Sequence, residues 1–293
     1  MNKNFIFIKR NNDLVLYYLS FIPLVIYGLY KNGFLLVENN FTSFIYAYKI
    51  ILYPIICCLI GVVFSLVFKN RRREVICFTV LMGMLAPYNF NMYLYFLIVF
   101  LGSFIASFIP NKYKINEVAL VVTILIIFNN FSKNFNVFNP MELSNTYNYS
   151  LLDLFFGRGA SYLFTSSVFF ILISYIILSF VKTYKKEIPI ITMSVFVLLA
   201  IIYMIITGNY LNNIKLLLSG TTFFSFVYLA TVNESSPSTK LITYIYASLV
   251  GMLSFIFIYI FEYTSGSISA VLIISIIYRI YVIIRQKKLL KQL

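Results

Sequence analysis

Apolar residues run along this chain in ten blocks, each closed by a polar stretch. The blocks cover roughly residues 14–30, 50–67, 75–88, 93–109, 118–131, 162–181, 189–206, 215–231, 241–261 and 267–284. A helix needs about 20 apolar residues to cross a bilayer, and fewer where it is broken or re-entrant. The pattern therefore predicts an all-α polytopic membrane protein with about ten transmembrane helices. The first block is long and lacks a small-residue cleavage motif, so it predicts an anchor and not a removable signal. Only two connections are long, 31–49 and 132–161.

Ten spans divide into five and five. An odd number per half turns the halves in opposite directions, which is the arrangement of an inverted repeat. The expected organisation is a single integral membrane domain over 1–293. Repeat one covers about 14–131, an outer loop 132–161, repeat two about 162–284, and a basic tail 285–293. The third block is irregular in both halves. Block 75–88 ends in Gly83 and Pro87; block 215–231 carries Ser219-Gly220-Thr221-Thr222 and leads to a polar turn at Glu234-Ser235-Ser236-Pro237. Paired broken segments point to a binding site near the midplane. Small residues also let helices pack closely, and both readings stand at this level.

Composition sharpens the class. Hydrophobic residues make up 61% and charged ones 11%, against about 25% charged in soluble domains. A soluble fold is excluded. The excess of Ile, Phe, Tyr, Asn and Lys, with no Trp and no His, fits a bacterium with an AT-rich genome. Lacking His, the chain has no imidazole for haem or metal. Cys57, Cys58 and Cys77 lie in apolar blocks without paired CxxC spacing, so no zinc site or disulfide framework is expected. Buried thiols are the plain reading, and a cluster shared with a partner subunit is the other.

The net charge of +14 is decided by where it falls. With the N-terminus inside, seventeen Lys and Arg lie on inside segments and five on outside ones. This is the positive-inside signature. It predicts a multi-pass protein of the cell membrane with both termini cytoplasmic, and it gives no case for nucleic acid. Arg279, about a turn and a half inside the last block, is expected to snorkel to the basic face. No acid is centred in a span, and there is no paired-carboxylate site, Ser/His/Asp set, phosphate loop or dinucleotide fingerprint. No catalytic residue is expected. Glu117 and Glu234, at span ends, are candidates for coupling to an ion, beside ordinary capping or surface roles.

Several fragments carry a family resemblance. Ser219, Gly220, Phe223, Phe224, Ala230, Thr231, Ser236 and Pro237 resemble the SG(x)nFF…MATDPVTSP segment of RnfD, a membrane protein of the Rnf-type electron transport complex. The same segment is similar to NqrB, its relative in the sodium-pumping NADH:quinone oxidoreductase. Val232-Asn233 stand where that family has Asp-Pro. Gly83-Met84-Leu85-Ala86-Pro87 is similar to its LTLPP break, and residues 115–120 to its FNPALV. Residues 149–157, with Gly159 and Thr165-Ser166, resemble its SLLDLFLGNxPGSxGETS. The resemblance runs through most of 75–275.

The resemblance implies electron transfer. Family members carry FMN joined through phosphate to a threonine on the outer face, installed by a flavin transferase. Some carry a second flavin, riboflavin or FMN. The corresponding place is Leu143-Ser144-Asn145-Thr146, whose Thr146 is the only threonine of the loop; the Gly-Ala of the motif and its following Pro-Leu are absent. Aromatic faces for a ring are offered by Phe138, Tyr147, Tyr149, Phe155 and Phe156. Gly157, Arg158 and Gly159 would give close backbone approach and a cation for phosphate; an interfacial anchor is the other reading of Arg158. Second-flavin contacts would come from Ser219, Thr221, Thr222 and the backbone freed near Gly83 and Gly220. Expected partners are other membrane subunits of an electron transport complex, an FMN-binding-domain protein and the transferase. The alternatives are an inverted-repeat transporter or channel for a small solute, and a flavin-less scaffold.

Overall fold

The computed structural model describes residues 11–38, 44–67, 72–87, 91–110, 113–131, 150–158, 161–208, 210–263 and 265–291. Repeat one contributes α1 (Asn11–Leu29), α2 (Phe44–Val67), α3 (Arg72–Met84), α4 (Met92–Phe108) and α5 (Glu117–Phe131). A short helix, α6 (Leu151–Phe156), follows. Repeat two contributes α7 (Val168–Ser179), α8 (Glu187–Thr207), α9 (Tyr210–Leu217), α10 (Gly220–Phe224), α11 (Lys240–Phe255) and α12 (Gly266–Lys291). Every apolar block is a helix for most of its length, and no strand occurs among the described residues. Four helical stretches are long and apolar enough to cross a membrane unaided: Lys49–Val67, Glu187–Thr207, Lys240–Ile260 and Gly266–Lys287. The others are shorter because the chain is interrupted.

Both third helices are broken. In repeat one α3 ends at Met84, and Leu85, Ala86 and Pro87 continue as buried non-helical chain. In repeat two α9 stops at Leu217, α10 restarts at Gly220, and the helix then widens into a π-turn over Ser225–Leu229. A break in an apolar medium leaves carbonyls that something must satisfy. Tyrosines and an asparagine do so. The Tyr184 hydroxyl donates to Val227 O at 2.8 Å, Tyr259 to Asn213 O at 2.8 Å, and Asn116 Nδ2 to Leu229 O at 2.7 Å. Tyr95 donates to Met82 O in the same way.

One boundary differs from the apolar pattern. Block 162–181 predicts a helix from its first residue, yet residues 161–167 are non-helical and α7 starts at Val168. Tyr162 to Ser167 are nonetheless buried. Their backbone bonds outward instead of along a helix: Leu163 N donates to Ala86 O at 3.0 Å and Phe164 N to Met84 O at 3.2 Å. The extended segment thus completes the broken end of α3 in the other repeat. Hydropathy cannot see this, because Tyr162, Leu163 and Phe164 are as apolar as any helical run.

Candidate functional site

The second broken helix crosses the extended segment at Gly220. A Cβ there would fall on the carbonyl oxygens of Thr165 and Ser166, so only glycine allows this approach. Gly157, at φ +90°, closes α6 and lies against the other flank of the segment, where a Cβ would meet Ser167 N at 2.6 Å. Around the crossing gathers a set of hydroxyls. Thr165 Oγ1 and Thr221 Oγ1 are 3.3 Å apart, Ser225 Oγ donates to Thr221 O at 2.8 Å, and Ser267 Oγ donates to Ser225 Oγ at 3.1 Å. Ser166 Oγ and Thr222 Oγ1 are buried without a hydrogen-bond partner. Each such orphan costs about 1–3 kcal/mol, which a hydrogen-bonding ligand would recover. Ser219 is half-buried at the break, and its side chain makes no capping bond.

Gly83 belongs elsewhere. It faces α2, where a Cβ would sit 3.0 Å from Pro54 Cα and from Tyr53 O. It serves close packing of α2 on α3, and is not brought to the Ser219–Thr222 break by these contacts.

At the loop end, α6 is held by a capping box in which Ser150 Oγ accepts from Asp153 N and the Asp153 carboxylate accepts from Ser150 N. These bonds from Ser150, with Arg158 beside it, hold the Asp153 carboxyl below its usual range. Arg158 Nη1 lies 2.9 Å from Asp153 Oδ1, with its side chain 62% exposed. A phosphate would have to share or displace that carboxylate. Phe155 and Phe156 meet Phe169 of α7 edge-on or tilted, with centroids 6.0 and 5.3 Å away. Thr146 and Gly159 lie outside the described residues. Lys31 and Asn32 reach the same end: Lys31 Nζ is 3.3 Å from Ser161 Oγ, and Asn32 Nδ2 donates to Leu163 O at 2.5 Å. Sequence reasoning counts Lys31 only as a loop charge. Its one available signal is the pairing of a cation with an amide at the end of an apolar block.

The opposite, basic end is tied more strongly. Lys114 Nζ and Glu234 Oε1 form an ion pair at 2.7 Å, with side chains only 4% and 7% exposed. Arg279 reaches the basic end, where protein carbonyls hold its head. Its Nε donates to Lys114 O at 2.7 Å, and its Nη2 donates to Glu234 O. Two backbone carbonyls at the basic end of the bundle hold this guanidinium, which protein partly encloses. Asn116 Oδ1 accepts from Ala119 N at 3.0 Å and so caps α5, whose first-turn Glu117 is buried. From the other side Lys185 Nζ donates to Ser236 Oγ at 2.7 Å and Ser236 O at 3.0 Å, and Asn233 Nδ2 to Thr183 O at 3.2 Å. Residues 115–288, more than half of the chain, match the family described as NQR2, RnfD, RnfE.

The chain belongs to the NQR2, RnfD, RnfE family. This is a family of membrane subunits of Rnf/Nqr-type electron transport complexes. A comparison with curated proteins finds no match. The NQR2, RnfD, RnfE match takes in the extended segment, the Gly220 crossing, the turn at Glu234 and Arg279, so it spans the whole pinned element of repeat two. Val232, one of the two residues where the resembling pattern has Asp-Pro, is buried at 2% exposure. Two residues on, Glu234 carries the acid of this turn and meets Lys114. Among the described residues no group of His, Cys, Asp and Glu could hold a metal ion.

Proposed function

We propose that this chain is the membrane subunit of a flavin-dependent electron transport complex. It passes electrons across the membrane to a flavin at the loop end, and from there to an FMN-binding-domain partner or a quinone. The basic end faces the cytoplasm, with both termini. The observation that carries the reading, beside family membership, is that the broken helix of repeat two is fixed at both ends. Gly220 is set against the Thr165–Ser166 backbone, and Glu234 is bound to Lys114 and Arg279. Such an element suits a static support for electron transfer between fixed centres. It does not suit the rocking of one repeat against the other that an alternating-access carrier requires.

A bound flavin supplies the one- and two-electron chemistry that these side chains lack. The chain's part is placement. Thr146 would carry the phosphoester, put there by a flavin transferase. Phe155 and Phe156 offer ring faces at the loop end. For a second flavin, the orphaned hydroxyls of Ser166 and Thr222 fit the hydrogen-bonding edge of a ring, beside Ser219 and Thr221. The face of Gly220 toward α7 is already filled by backbone, so that ring would use the hydroxyl side of the break.

The test is in-gel flavin fluorescence of the purified chain. Fluorescence that survives denaturation and vanishes in Thr146→Ala is the expected result. A mass equal to the bare polypeptide, with no flavin absorbance in the native preparation, would overturn the proposal in favour of a flavin-less scaffold.

A further inference from the structure

The short helix α6 carries an unusual surface for a segment flanking a polar loop. Leu154 is buried against the bundle. Leu152 and Phe156, four residues apart, share the opposite arc at 69% and 43% exposure, and Leu151, at 41%, lies nearer the Leu154 side. The polar groups of the helix keep to one edge: Asp153 is engaged by the capping box and by Arg158, whose guanidinium points outward. The apolar arc is continuous with α7 through the rings of Phe155, Phe156 and Phe169. It continues to Tyr27, which stacks on Phe170 with centroids 4.8 Å apart, and to half-exposed Tyr30. A belt of Phe and Tyr with one ion pair at its polar edge has the composition of a membrane–water boundary.

We propose that α6 lies in the lipid interface on the loop side of the membrane. Its Leu152 and Phe156 arc rests against the upper acyl chains, with Asp153 and Arg158 at headgroup level. The occupant of this surface is the bilayer itself. The continuity with α7 argues for this, since the same surface runs unbroken onto a helix whose exposed residues, Ile176 and Phe180, are apolar. A segment that presents large apolar residues on one arc and a charged pair on its edge is matched to a lipid interface.

The chain contains no tryptophan, so Leu152→Trp installs a single fluorophore on the arc. The full-length chain is placed in phosphatidylcholine nanodiscs, with and without phosphatidylcholine brominated high on its acyl chains. L152W is expected to emit in the blue, to lose roughly half its emission to the bromolipid, and to respond weakly to aqueous iodide, as an interfacial site does. Leu198→Trp, on an exposed apolar position of α8, serves as the lipid-facing reference. Quenching of L152W by iodide alone overturns the proposal, because the arc then faces water. Quenching by neither agent also overturns it, because protein then covers the arc. If L152W does not fold, Phe156→Trp, on the same arc, carries the same test.

Discussion

The close crossing at Gly220 is the feature on which the central site depends, and Gly220→Ala probes it most directly. The added methyl group would fall on two backbone carbonyls, those of Thr165 and Ser166, which cannot rotate away as a side chain would. Forcing extra volume into a packed interior costs about 1–3 kcal/mol. Alanine recovers about 1 kcal/mol over glycine by helix propensity. Because both clashes are with backbone, the packing cost falls in the upper part of its range, about 2–3 kcal/mol. The net expectation is a loss of about 1–2 kcal/mol, or a melting point lowered by about 2–8 °C at the 2–4 °C per kcal/mol of a large chain. Thermal unfolding can be followed with a thiol-reactive dye, since the Cys57 and Cys77 thiols are buried and outside any disulfide, and become reactive when the bundle opens. Gly208→Ala is the control. Unlike Gly220 it has positive φ, at +68°, and nothing lies within 4 Å of its added carbon, so backbone strain is its only cost. Hydrogen exchange at the Leu163 and Phe164 amides, which bond to Ala86 and Met84, should rise in G220A and not in G208A. If G220A melts with the wild type and those amides stay protected, the crossing is not packed as argued.

Two further outcomes follow from the basic end. Glu234→Gln leaves the Lys114 ammonium buried without its carboxylate, and should cost about 3–5 kcal/mol in thermal or denaturant unfolding; the double variant Lys114→Met/Glu234→Leu should recover most of it. Lys185, in the loop between α7 and α8, is pushed by burial from its ordinary 10.5 down to about 7. Between those values the unfolded chain holds a proton that the folded chain has shed, so stability falls as pH drops from 10.5 toward about 7 and levels off below. Lys185→Met should flatten that slope in a pH series of melting curves.

The apolar blocks predict the helices well, because in lipid every backbone group must be satisfied within the span and length is set by the bilayer. The break at Ser219-Gly220 is equally visible, since small and hydroxyl residues there interrupt a run of Leu and Phe. What the pattern hides is long-range. Leu163 and Phe164 bond their amides to Ala86 and Met84 at the end of α3, far off in sequence, and nothing in their own composition announces it. The pairing of Lys114 with Glu234 joins residues 120 apart, and Arg279 finds carbonyls rather than water for the same reason. Gly83 and Gly220 look alike as small residues in broken blocks. They differ because one meets the flat side of α2 and the other meets the bare backbone of the extended segment.

The way the repeats are joined separates the functional readings. An alternating-access carrier keeps its repeats as bodies that slide or rock, so contacts between them must be few or easily exchanged. Here the contacts are made of groups that are costly to uncouple. The extended segment of repeat two bonds its amides to α3 of repeat one, Asn116 of repeat one holds the π-turn of repeat two, and the Tyr228 hydroxyl bonds Ser20 of α1 at 3.0 Å. The buried ion pair adds a charge that would be stranded by any separation at the basic end. Moving one repeat against the other would break several of these at once without offering water in exchange. An electron needs no such movement, since it crosses between centres held at fixed separation. The rigidity that would disable a carrier is what an electron-transfer subunit requires.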